Sequence, residues 1–79
     1  MSPTVHREAA YAFRFYSADQ NEPPHIHVWS VRNRAKFWLK PVRIVHNRGF
    51  SQRELNAIEK LVIQHQDKLL EAWHDYFGN

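Results

Sequence analysis

Hydrophobic periodicity changes once along this chain, near residue 50, and that change limits the fold more than any other feature. Before it, short segments alternate apolar and polar side chains with the period of two that a half-buried strand shows. Residues 11–17, 25–31 and 35–40 read this way, and residues 4–7 and 42–45 are shorter candidates. After it, Leu55, Ile58, Val62, Leu69, Trp73 and Tyr76 recur at helical spacing, with Leu61, Leu70 and Phe77 widening the stripe. The junction carries its own start signal. Ser51 and Glu54 match a capping box, Phe50 and Leu55 a hydrophobic staple, and Gly78 is a suitable stop.

The expected fold is therefore α+β: a three- to four-stranded antiparallel sheet over residues 1–46 and a helical layer over residues 50–77, packed on one face. The stripe turns polar at Gln64-His65-Gln66-Asp67, which leaves one long helix or two. Asp19-Gln20-Asn21-Glu22-Pro23-Pro24 reads as a loop, and Arg32-Asn33-Arg34 as a hairpin turn in which Asn33 can take a positive φ. Pro41 ends a strand or places it at an edge.

Seventy-nine residues with no linker or repeat give one domain, 1–79. A chain this short buries only about 60% of the surface its unfolded form exposes. An aromatic share of 14% compensates, because each large ring removes roughly 150–250 Å² from water. The absence of cysteine excludes disulfides and thiolate chemistry. The start Met1-Ser2-Pro3-Thr4 lacks the pattern of a signal peptide, and the longest aliphatic run is Leu61-Val62-Ile63. A membrane span needs about 20 apolar residues, so a cytoplasmic location without membrane association is expected.

Charge is divided unevenly. Residues 1–50 hold eight Lys/Arg against Glu8, Asp19 and Glu22, whereas residues 51–79 hold three basic and five acidic side chains. A basic sheet half suits an anionic partner. Alternation then sorts the faces. Ile26 and Val28, with Ala35, Phe37 and Leu39, should face the helices. His25, His27, Trp29, Lys36, Trp38 and Lys40 should lie on the open side, joined by Arg14 and Tyr16. Arg32 and Arg34 add charge at the turn. An open face with two indoles implies a cover: a polynucleotide, a partner protein or a second copy of the chain.

Cations interleaved with aromatics suit single-stranded nucleic acid, whose bases stack on rings while Lys and Arg follow phosphates. Two histidines two apart on a strand lie about 6.5–7 Å apart. Such a pair could bracket a scissile phosphate, one imidazole accepting a proton and the other donating one, with Lys36 stabilising the developing charge. This route needs no cofactor. A His-x-His pair also suits a zinc or copper site, with a third ligand from His6, His46, His74 or Glu22. Trp29 and Trp38 fit interface packing as well as they fit base stacking.

Four blocks in order, Asn21-Glu22-Pro23-Pro24-His25-Ile26-His27-Val28, Ala35-Lys36-Phe37-Trp38-Leu39, Gly49-Phe50-Ser51 with Glu54-Leu55, and Leu70-Glu71-Ala72-Trp73-His74-Asp75-Tyr76-Phe77, resemble the small bacterial domain of unknown function numbered 4160. The resemblance implies a gene pair of toxin–antitoxin type, this chain being the toxin member and a cognate antitoxin-like small protein its partner. Two departures from the family pattern stand out. Glu8-Ala9-Ala10 replaces a turn in which members usually carry glycine, and residues 30–34 replace an often glycine-rich turn. Two functions remain open: a toxin acting on RNA or ribosome-associated targets, and a non-catalytic interaction or regulatory module using the Trp/His face.

Overall fold

The computed structural model describes residues 3–78. Met1 and Ser2, part of the start read above for a leader, lie outside the described residues. Five strands run in chain order: β1 Thr4–Glu8, β2 Tyr11–Arg14, β3 His25–Trp29, β4 Arg34–Leu39 and β5 Val42–Arg48. Each pairs antiparallel with its sequence neighbour, giving the sheet order β1-β2-β3-β4-β5. Two helices follow, α1 Gln52–Gln64 and α2 Gln66–Phe77. The fold is α+β as expected, with both of the shorter candidate strands formed, so the sheet has five strands.

Alternation builds the core. Phe13, Phe15, Ile26, Val28, Ala35, Phe37 and Leu39 turn one face of the sheet inward, where Ile58, Val62, Leu69 and Trp73 meet them. Burying each large apolar side chain is worth about 1.5–3 kcal/mol. The Trp73 indole stands edge-on to Phe15, ring centroids 5.3 Å apart. Ser51 caps α1 reciprocally with Glu54, through the Glu54 N–H to Ser51 Oγ (3.1 Å) and the Ser51 N–H to Glu54 Oε1 (2.9 Å). Phe50 and Leu55 both join the core, as a staple requires.

The polar interruption at residues 64–67 is a break between two helices, with His65 at φ −104° and ψ 15°. Its cause is tertiary. His65 Nε2 bonds Glu8 Oε1 at 2.8 Å, and the Gln66 amide donates to the Leu39 carbonyl at 2.6 Å. Side chains that would spoil an apolar stripe are spent on fastening the helix pair to the sheet.

Two local expectations are corrected. Among the described residues the only non-glycine at positive φ is Ala9 (φ 54°), so Asn33 does not adopt the left-handed conformation. Residues 30–33 close instead through the Ser30 N–H to the Asn33 carbonyl, 3.1 Å. The Asn33 carboxamide lies so close to Gly49 (φ 99°) that any Cβ there would collide with it. In addition, the presumed loop after β2 contains a 3-10 turn, Ser17–Asn21, laid against the start of β3.

Candidate functional site

Register places the open face directly. Arg14 pairs with His27, His27 with Lys36, His25 with Trp38 and Trp29 with Arg34. Directly opposed residues share a face, so Arg14, His27, Trp29, Lys36 and Trp38 of the alternation-derived set do come together, and Arg34, expected in the turn, joins them as the first residue of β4. Tyr16 joins it, stacked on His27 with centroids 3.7 Å apart and planes 9° from parallel, its hydroxyl accepting from Trp29 Nε1 at 2.8 Å. Arg32 and Lys40 do not join. Both are exposed in the turns at opposite ends of β4.

One row crosses the whole sheet at right angles to the strands: Arg7, Ala12, Trp29, Arg34 and Arg48, one from each of β1 to β5. The Arg14 and Arg34 guanidinium carbons lie 4.3 and 3.9 Å from the centre of the Trp29 ring, within cation–π range. Because the row carries the small Ala12 beside Trp29, the surface dips there into a depression of about 290 Å³ lined by Arg7, Ala10, Ala12, Arg14, Trp29, Ser30 and Val31. Arg7 and Arg48 were not singled out from sequence. Arg7 lay in one of the two optional strands and Arg48 three residues beyond the expected end of the other, in what reads as a turn, so only pairing partners fix their faces.

His25 departs from expectation. It stands on the expected face but has no exposed surface, being walled by Trp38 and by the Trp73 indole of α2 at 5.0 Å. Its Nδ1 must donate to the Pro23 carbonyl at 2.9 Å, since a carbonyl only accepts. Its Nε2 sits 2.8 Å from Asp19 Oδ2 without a hydrogen-bond alignment to any partner. His27 Nε2 reaches the same oxygen at 2.8 Å, and the Tyr16 N–H reaches it at 3.2 Å. The two imidazole rings, 5.1 Å apart, therefore converge on one carboxylate. They do not flank an open space in which a phosphate could be bracketed.

Asp19 is the residue that sequence reasoning missed, having been taken for a turn former. The signal was a lone acid shortly before two alternating histidines in a basic segment. Burial alone would raise its carboxyl. The His27 hydrogen bond and the close His25 outweigh that and hold it below the usual carboxylate range. Burial pushes His27 below the usual imidazole value against the opposing pull of Asp19. Lys36 is held by Glu22 at 2.6 Å, which lowers the Glu22 carboxyl.

A second cluster lies at the break between the helices. Glu8 Oε1 receives His65 Nε2 at 2.8 Å and His6 Nε2 at 3.2 Å, while Lys68 Nζ donates to His6 Nδ1 at 3.0 Å. The bonds from His65 and His6 keep Glu8 below the usual carboxylate range. Of the third-ligand candidates considered for the histidine pair, His6 belongs to this other cluster, and Glu22 comes no nearer to His25 than 3.9 Å from its Nδ1. His46 and His74 are exposed on β5 and α2.

A five-stranded antiparallel meander backed by two helices, with a basic, aromatic open face, defines a small α+β domain. The family model "Domain of unknown function (DUF4160)" matches residues 10–74, and the chain belongs to that family. No curated protein and no solved structure matches it. No helix among the described residues is long and apolar enough to cross a membrane.

Proposed function

We propose that this chain binds single-stranded RNA across the open face of its sheet, and that this binding underlies a toxin role in a two-gene pair with an antitoxin-like small partner. The observation that carries the reading is the cross-strand row. Cations at Arg7, Arg34 and Arg48, with Arg14 beside them, flank one indole and one depression. Guanidinium planes and indoles both stack bases, and guanidinium groups pair with phosphate oxygens. Among the described residues, Lys36 is the only lysine or arginine of the sheet half in an ion pair with a carboxylate, so the row keeps its charge for an external polyanion.

His25 takes no direct part, because it is sealed from solvent. Any cleavage at this face would rest on His27 and Lys36. The test is binding of a fluorescent single-stranded RNA, followed across a salt series. Arg7→Ala, Arg48→Ala and Arg34→Ala should each weaken binding and flatten its salt dependence by about one ion. Trp29→Ala should cost about tenfold or more, the worth of one stacked base. Unchanged affinity in all four would overturn the reading. In a bacterial host, induced wild type should arrest growth and the Arg34→Ala/Arg48→Ala pair should not. The state of total RNA, with and without His27→Ala, separates cleavage from sequestration.

A second reading, the non-catalytic interaction module, is favoured by β5. Six of its seven residues are exposed, Ile44 and Val45 among them, and it is an edge strand, the element to which a partner's strand can add. In that case the partner would perturb β5 amides and leave those of Arg7, Ala12 and Trp29 unmoved.

A further inference from the structure

We propose that Asp19, His25 and His27 form a binding site for one divalent transition-metal ion with zinc's ligand preference. Asp19 Oδ2 and the two Nε2 atoms are its ligands, and water takes the fourth position. The inference does not depend on the RNA-binding reading, which rests on the row from Arg7 to Arg48; the two share only His27, on which any cleavage would rest.

Three observations carry it. The ligand atoms already converge, both Nε2 atoms lying 2.8 Å from the same carboxylate oxygen and all three within 4.8 Å of one another. His25 Nε2 is completely buried and has no hydrogen-bond partner. Its ring is also set in the tautomer a metal needs. With Nδ1–H spent on the Pro23 carbonyl, a neutral His25 points the Nε2 lone pair at a carboxylate oxygen, an arrangement that repels unless something positive lies between them. A backbone carbonyl on the distal nitrogen is the usual way a ligating imidazole is oriented.

Geometry and access fit as well. Zinc bonds of about 2.0–2.2 Å in a tetrahedron separate neighbouring ligand atoms by roughly 3.3–3.5 Å. The two short edges therefore open by about 0.5 Å as the ion enters. Asp19 can supply this, since it sits on a short 3-10 turn and not on a strand. The Asp19 and His27 side chains keep 11% and 13% of their surface exposed, which leaves a narrow entrance for the ion and its water. Entry needs a change of tautomer at His27, its Nε2 proton leaving to solvent as Nδ1 takes one up, so that both imidazoles bind as neutral ligands. A bound ion would pin the 3-10 turn to β3.

The test uses the full chain without a histidine tag, stripped with a chelator and titrated with Zn(II) by calorimetry and with Co(II) by visible absorption. One equivalent should bind, and Co(II) should show the intense bands of a four-coordinate site. Asp19→Asn and His27→Gln, which keep the side-chain shape, should each lower affinity by more than about 100-fold, beyond the 10–100-fold typical of outer-shell changes. Far-UV circular dichroism shows whether each variant remains folded. His65→Gln, in the other cluster, should bind as the wild type does. Absence of stoichiometric binding would overturn the proposal. So would binding that survives Asp19→Asn or is lost in His65→Gln.

Discussion

The molecule contains the same small device twice: one carboxylate oxygen met by the Nε2 atoms of two histidines. At Asp19 the device is buried and incomplete, with one imidazole nitrogen unmatched. At Glu8 it is half-exposed and complete, because Lys68 supplies the proton donor that fixes the His6 tautomer and so lets its Nε2–H face the carboxylate. The lesson is that composition does not decide what such a cluster does. Depth and the partner on each distal nitrogen do. A hydrogen-bonded chain near solvent ties elements together, whereas an unmatched nitrogen in the interior leaves capacity for a ligand.

The largest expected difference between the two is in stability. Asp19→Ala leaves His27 unpaired and frees the 3-10 turn, and it should cost about 2–3 kcal/mol in urea unfolding, the range for a buried charged hydrogen-bond group. Glu8→Ala should move the midpoint far less, since solvent can replace what it loses. Equal losses would erase the distinction drawn from depth.

Acid pH gives a finer comparison. Glu8 is held below its ordinary value of 4.5 by the bonds from His65 and His6. Its stabilising contribution is therefore complete above pH 4.5 and is lost as the pH falls through the lower folded value. Glu8→Gln should flatten that part of the stability–pH curve. A curve parallel to the wild type would show that the exposed cluster contributes nothing to acid resistance.

The smallest effect is at the turn that delivers Glu8. Ala9 stands at φ 54°, a conformation that costs an L-residue roughly 1–2 kcal/mol and that glycine adopts freely. Ala9→Gly should raise stability by up to about 1 kcal/mol after the extra unfolded-state entropy of glycine is subtracted. A loss would mean that the strained turn is relieved elsewhere.

Legibility in the sequence followed the range of the interactions. The faces of β3 and β4 could be read because alternation is local, and the start of α1 because its cap and staple are contiguous. The depth of His25 could not, since the Trp73 that covers it lies 48 positions further along the chain. The Glu8 cluster was equally invisible, because it joins residues 57 and 62 positions apart across a helix break that periodicity alone left open. Asp19 was within reach. It was passed over because an acid among turn formers reads as solvated, and only the demand of two neighbouring imidazoles gives it another role.

The row of residues from Arg7 to Arg48 has a consequence for how this domain can vary. Its members are brought together by register across four hairpins, with no two of them contiguous in sequence. A one-residue slip in any pairing turns a whole strand's side chains to the opposite face. A single insertion or deletion in the 30–33 turn could therefore scatter the row while every arginine and the tryptophan survive unchanged. Turn length, ordinarily the most permissive property of a small sheet, is here as consequential as the identity of the residues it aligns.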